Sequence, residues 1–200
     1  MKNVAILLSG RGSNFLALSD AITAGKIPAR IVLVVSNKPD APGLTHAQER
    51  NYETVCVPSK GVKREAYDRQ VVKELKARQV DVICLAGFMR LLSSWFVQQY
   101  PRLILNIHPS LLPAFPGLHS QKQALEWGAK VSGCTVHFVD EKLDHGPIIV
   151  QRSVPVLDED TEETLSARIL EQEHQIYPEA LKLVCEERVR FQERQVLILK

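Results

Sequence analysis

Three short segments of the 200-residue chain carry residue types that can do chemistry. The sharpest is Leu103-Ile-Leu-Asn-Ile-His-Pro-Ser110. Side chains two apart on a strand share a face, so Asn106 and His108 point one way and Leu105 and Ile107 the other. A polar pair leaving an apolar strand is costly unless both members are hydrogen-bonded or functional. Pro109 then stops the strand, because it has no N–H for the ladder. Acyl transfer is the chemistry that uses such a pair. When an amine attacks a carbonyl carbon, negative charge builds on the oxygen. An amide N–H from Asn106 and an imidazolium N–H from His108 would stabilise it. On the strand alone, a hydrogen-bonded pair at a strand end is an equally open reading.

The second segment is Ser9-Gly10-Arg11-Gly12-Ser13-Asn14, which joins the first apolar run to the first helix. Glycines let backbone approach an anion, and the N–H groups of Gly12, Ser13 and Asn14 point into a helix start where the dipole favours phosphate. A dinucleotide site is disfavoured. Phe15 stands where the third glycine of G-x-G-x-x-G belongs, and the second strand ends in Ser36-Asn37 rather than in an acid for ribose hydroxyls. A tight turn without ligand remains the alternative. The third segment is Asp140-Glu-Lys-Leu-Asp-His-Gly-Pro147. Asp and Gly there are ordinary turn chemistry, and Asp144 has no role from spacing alone. No Gly-x-Ser-x-Gly elbow occurs, and no cysteine stands beside a plausible base. Direct attack by a substrate amine needs neither.

The elements that must position these groups can be read from periodicity. Val4–Leu8, Ile31–Val35, Thr54–Val57, Val80–Ala86 and Leu103–His108 read as strands, and Phe15–Ala24, Thr45–Asn51 and Arg64–Arg78 as helices between them. Alternation of this kind implies a parallel sheet covered on both faces. Cys134–Val139 and Ile148–Val156 read as an antiparallel hairpin. A long helix follows, opened by Asp160 with Glu163 as a capping box, bent near Pro178 and running to about Glu187. On it Leu165, Ile169, Ile176 and Ala180 share a face with Glu173, a carboxylate that calls for a partner there. Val196–Leu199 reads as an added edge strand. His119 and His137 are both open to a place near the ligand site; His137 shares parity with Val139, and a hydrogen-bonded core histidine is the safer reading for it. The whole is an α/β fold in one domain, residues 1–200. Residues 1–100 form a Rossmann-like phosphate-binding half, and 101–200 a mixed half carrying the catalytic and second-ligand groups.

Bulk properties bound the partners. A formal net charge of +2 argues against nucleic acid or anionic membrane. No apolar stretch approaches a membrane span, and Val4–Leu8 is too short for a signal-peptide core. A cytoplasmic setting is expected. Cys56, Cys84, Cys134 and Cys185 lack metal-type spacing, so neither zinc nor any other metal is expected, and they read as structural thiols.

Taken together, the Ser-Gly-x-Gly-Ser-Asn loop, Leu85-Ala-Gly-Phe-Met-Arg90, Asn106-Ile-His-Pro-Ser-Leu-Leu-Pro113, Leu143-Asp-His-Gly-Pro147 and Gln172-Glu-His174 resemble the glycinamide ribonucleotide formyltransferases. The Asn-x-His-x-Ser-Leu-Leu-Pro core is common to folate formyltransferases; its combination with the phosphate loop is more specific. The match runs from about Val4 to about Pro178. The resemblance implies a Rossmann-like formyltransferase fold, its central sheet mostly parallel with an antiparallel C-terminal part. It also implies transfer of the formyl group of 10-formyltetrahydrofolate to the amine of 5-phosphoribosylglycinamide, in purine synthesis. No metal, nicotinamide, nucleic acid or membrane is expected to take part, and a monomer or homodimer is expected.

The resemblance also assigns residues. Asn106, His108 and Asp144 are catalytic, Asp144 lying near His108 and favouring its charged ring. Gly12, Ser13, Asn14, Pro109, Leu170, Glu171, Gln172 and Glu173 hold the ribonucleotide. Met89, Arg90, Leu91 and Leu92 line the folate site with Asn106. Asp140, Glu141, Lys142, Leu143 and Asp144 close over the pterin, and Arg64 and Arg90 pair with the glutamate carboxylates. Arg11 and His145 stand at positions that vary in this family. A formylfolate hydrolase, with water replacing the amine, and a non-catalytic nucleotide-binding module are the rival readings.

Overall fold

The computed structural model describes residues 1–199. In chain order the elements are β1 (Lys2–Leu8), α1 (Ser13–Thr23), β2 (Ala29–Ser36), α2 (Pro42–Glu49), β3 (Thr54–Cys56), α3 (Arg64–Ala77), β4 (Val82–Leu85) and α4 (Ser94–Gln99). There follow β5 (Ile104–His108), α5 (Ser120–Glu126), β6 (Val131–Phe138), β7 (Ile148–Pro155), α6 (Glu162–Cys185), β8 (Val189–Gln192) and β9 (Gln195–Ile198).

The main sheet has seven strands in the order β3-β2-β1-β4-β5-β6-β7. β1 to β5 run parallel, and β6 pairs antiparallel with both β5 and β7, so that β6 alone runs against the others. That is the α/β arrangement the alternating pattern implied. β1 and β4 are continuous apolar runs because both faces of the sheet are covered. On one face Ile6, Leu105 and Ile107 pack with Phe15 of α1 and Ile169, Ile176 and Tyr177 of α6. On the other, Leu7, Ile83 and Ile104 pack with Tyr67, Val71 and Leu75 of α3 and Phe96 of α4. β5 therefore sends Leu105 and Ile107 to one side and Asn106 and His108, with Ile104, to the other.

α6 lies against β5, β6 and β7 on that first face. The Tyr177 hydroxyl is buried and within hydrogen-bond distance of two carbonyls, Leu85 at 3.0 Å and Leu105 at 3.1 Å. It ties the helix to the ends of β4 and β5. The helix continues through Pro178 to Cys185.

The structure corrects three boundaries. α6 is capped by Thr161, not Asp160. Thr161 Oγ1 accepts from Thr164 N at 3.3 Å, and Thr164 Oγ1 accepts from Thr161 N at 3.0 Å, so the box uses two threonines and Glu163 is not its second member. Asp160 instead accepts from Leu157 N and pairs with Arg168 at 2.7 Å, which holds its carboxyl well below the usual range. Its side chain closes the preceding turn and is not free to cap. The Val196–Leu199 segment does not extend the main sheet. β9 pairs with β8 in a separate hairpin, because Glu193-Arg194 makes a two-residue turn that folds the chain back on itself. α2 begins at Pro42, before the Thr45 expected, since proline is favoured in the first turn of a helix.

Candidate functional site

Gly12 starts the site. It has φ 80°, the left-handed region, and a Cβ there would sit 2.7 Å from Gly43 Cα. Gly43 N also donates to Gly10 O at 3.0 Å, locking the two loops together. Only glycine meets both the conformation and the contact. No side chain caps α1 and no acid stands in its first turn, so the N–H groups of Ser13 and Asn14 keep their character as an anion site.

Asn14 reaches back from this helix to α6. Its Nδ2 donates to Glu173 Oε2 at 2.7 Å, while its Oδ1 is buried with no partner in the chain. Glu173 is 7% exposed. Burial pushes its carboxyl up to about 7, against the smaller opposing effect of the Asn14 bond. A buried acid with one neutral partner and an adjacent orphaned amide oxygen is suited to hydroxyl donors. Leu170 and Gln172 are half-buried on the same helix. Glu171 is exposed, as its spacing from Glu173 requires.

Asn106 and His108 emerge at the carboxyl end of β5, the edge where α/β sheets bind ligands. Asn106 is paired in register with His137 of β6. His137 is 2% exposed, and burial lowers the basicity of its ring. Its Nδ1–H donates to Phe138 O at 2.8 Å, because a carbonyl can only accept. Nε2 is then the acceptor, and it takes a hydrogen bond from Asn106 Nδ2 at 3.1 Å. The neutral histidine thereby fixes which way the Asn106 amide points and leaves its second N–H for another acceptor. Parity had already placed His137 as a hydrogen-bonded core group; the partner it orients was not legible, because the register between β5 and β6 is not local information.

The His108 ring is 5% exposed. Nε2–H donates to Phe115 O at 2.9 Å, and Nδ1 lies 3.4 Å from Asp144 Oδ2. That carboxylate oxygen also accepts from Gly117 N at 2.8 Å, and Asp144 Oδ1 lies 3.9 Å from His137 Nε2. Asp144 adopts φ 46°, a conformation Asp tolerates better than most residues. The loop after β5 and the loop between β6 and β7 thus meet over one carboxylate. Among the four thiols, Cys134 is pushed up to about 12 by burial, and Cys84 and Cys185 are likewise buried and raised. Cys56 is exposed, unlike the other three.

Met89 to Leu92 follow β4 at the same sheet edge. Met89 N–H is taken by Ser9 Oγ at 2.8 Å, and the Met89 side chain is 63% exposed. Leu91 and Leu143 are exposed as well, apolar groups left open beside a polar centre. The Arg90 guanidinium donates to Ser59 O and Val62 O and stacks over the Tyr67 ring at 4.4 Å. Arg64, at the start of α3, is exposed and Pro109 is half-buried beside His108. Glu141 accepts from Gln98 at 3.1 Å, and Asp140 accepts from Lys142 N at 2.9 Å. Lys142 is exposed.

The family model described as Formyl transferase matches residues 2–181. The phosphoribosylglycinamide formyltransferase of Escherichia coli (strain K12) is 45% identical over 192 residues, 96% of this chain and 91% of that one. The trifunctional purine biosynthetic protein adenosine-3 of Drosophila melanogaster is 52% identical over 92% of this chain, which spans 14% of the fly protein's length. The crystal structure of glycinamide ribonucleotide transformylase 1 from Symbiobacterium toebii aligns with a TM-score of 0.98 at 47% identity, covering 100% of this chain and 95% of that one. Identity at this level, carried along nearly the full length of a relative of similar size, means that the chain belongs to the phosphoribosylglycinamide formyltransferase family.

Proposed function

We propose that the chain transfers the formyl group of 10-formyltetrahydrofolate to the amine of 5-phosphoribosylglycinamide, a step of de novo purine biosynthesis in the cytoplasm. The observation that carries this reading is the convergence of Asn106, His108 and Asp144 at one end of β5. The phosphate of the ribonucleotide lies on the N–H groups of Gly12, Ser13 and Asn14, and its ribose hydroxyls donate to Glu173. Pro109, Leu170 and Gln172 form the walls, with Glu171 at the rim.

The apolar surface of Met89, Leu91, Leu92 and Leu143 fits a flat aromatic ring. Asp140 to Asp144 form the cover, and backbone groups of Arg90 to Leu92 offer hydrogen bonds to its edge. Arg64 is the cation open to a distal carboxylate, whereas the Arg90 guanidinium already serves two carbonyls. When the amine attacks, the free Asn106 N–H and His108 Nδ1–H donate to the formyl oxygen. Nδ1 is assigned this role because Nε2 is engaged by Phe115 O at 2.9 Å, whereas Nδ1 makes only the weaker 3.4 Å approach to Asp144, which it would share with the formyl oxygen. Asp144 takes the amine's surplus proton through water, and His108 supplies one to the departing folate nitrogen.

The test is loss of 10-formyltetrahydrofolate, followed by absorbance, with and without 5-phosphoribosylglycinamide. Turnover that requires the ribonucleotide and collapses in His108→Ala is expected. Formyl loss without any amine would overturn the reading in favour of hydrolysis.

A further inference from the structure

The turn of the β8–β9 hairpin reaches the catalytic loop from outside. Arg194, at that turn, donates from Nη2 to the His145 carbonyl, and its Nη1 lies 3.0 Å from His145 Nε2. His145 Nδ1 is 2.7 Å from Asp140 Oδ2. A carboxylate can only accept, so Nδ1 carries the proton and Nε2 presents its lone pair to Arg194. The chain Arg194–His145–Asp140 therefore closes the neck of a loop whose next-to-last residue is Asp144. The exit of that loop has no slack, because a Cβ at Gly146 would fall 1.8 Å from Phe138 O. The hairpin is itself anchored: Phe191 packs on Phe138 with centroids 4.9 Å apart, and the Arg102 guanidinium lies 4.2 Å from the Phe191 ring centre. All of β8 and β9 lies past residue 181, where the family match stops.

We infer that Arg194 is a positioning residue for the reaction, holding the Asp140–His145 loop so that Asp144 stays against His108. This inference rests on the function proposed above. It acts through the His145 ring and carbonyl and touches neither substrate.

Two measurements test it. Hydrogen–deuterium exchange of the unliganded chain compares wild type with Arg194→Ala, and with Arg194→Gln in case the alanine variant does not fold. Faster exchange in the peptide covering 140–147, with no change in the peptide covering β1 and α1, is expected. Steady-state kinetics then compare Arg194→Ala, His145→Ala and the double variant. Each single variant is expected to lose about tenfold in kcat with both KM values within about twofold, and the double variant to lose clearly less than the product of the two, because His145→Ala removes the ring contact and keeps the carbonyl one. Arg194→Lys, which keeps a donor for the carbonyl, recovers part of the loss. Unchanged exchange, a wild-type kcat in Arg194→Ala, or losses that multiply in the double variant would each overturn the inference. A wild-type chain without turnover would sink the proposed reaction, and exchange alone would then decide the role of Arg194.

Discussion

Asn106 and His137 face one another across β5 and β6, the amide nitrogen 3.1 Å from an imidazole nitrogen that can only accept. The amide proposed above as an oxyanion donor is thus aimed by His137. His137→Leu removes the acceptor and frees the amide to rotate. A kcat loss of about tenfold with little change in KM is expected, smaller than the 10²- to 10³-fold typical of removing an oxyanion donor outright, as in Asn106→Ala. Steady-state rates of the two variants side by side check the order. A His137→Leu enzyme at wild-type kcat would mean that Asn106 is held some other way.

Asp144 combines a charge facing His108 with an acceptor for Gly117 N. Asp144→Asn retains an acceptor for Gly117 and removes the charge. kcat should fall by about 10²-fold while the melting temperature stays close to that of wild type. Asp144→Ala should lose both, so that calorimetry separates the two roles. Equal rates for wild type and the asparagine variant would remove Asp144 from the proton path.

Glu173 binds its proton more tightly in the folded chain than in the unfolded one, since burial raises it from an ordinary carboxyl value to about 7. Stability from this group is therefore full below about pH 4.5 and declines as pH rises to about 7, by a total on the order of 3 kcal/mol. Glu173→Gln should match wild type at pH 5 and be more stable at pH 8 in urea unfolding. Its KM for the ribonucleotide should rise, because an amide is a poorer acceptor for ribose hydroxyls. A variant no more stable than wild type at pH 8 would contradict the buried-acid account.

Gly12 cannot take a side chain without moving Gly43. Gly12→Ala adds left-handed strain and a 2.7 Å approach, with an expected stability loss of about 1–3 kcal/mol and a raised KM for the phosphorylated substrate. The contrast is Gly10→Ala, where a Cβ meets nothing within 4 Å. Chemical denaturation of both variants checks the difference. Equal losses at the two positions would rule out the Gly43 contact as the cause.

Local patterns carried much of this site. The parity of β5 separated Asn106 and His108 from Leu105 and Ile107, and the periodicity of α6 put Glu173 on the buried stripe with Ile169 and Ile176. What stayed hidden depended on contacts between segments distant in sequence. The His137 bond to Asn106 required the register of an antiparallel pair, and the engagement of Arg90 by Ser59 and Val62 required the path of the loop before α3. The strand β8 was not read, although Val189 and Phe191 alternate with Arg190 and Gln192. Its short length and the exposed flank of β9 masked it, and with it the hairpin that reaches His145.

The Tyr177 hydroxyl, set between the carbonyls of Leu85 and Leu105, also fixes a length. One helical turn before it on α6 stands Glu173, and immediately after Leu105 stands Asn106. Glu173 and Asn106, proposed above to meet the two ends of the substrate, are therefore both placed from a single buried post. On that proposal, a homologous amine whose nitrogen sits one methylene farther from its ribose should be a poorer substrate, since the Tyr177 bonds oppose sliding of α6 along the sheet.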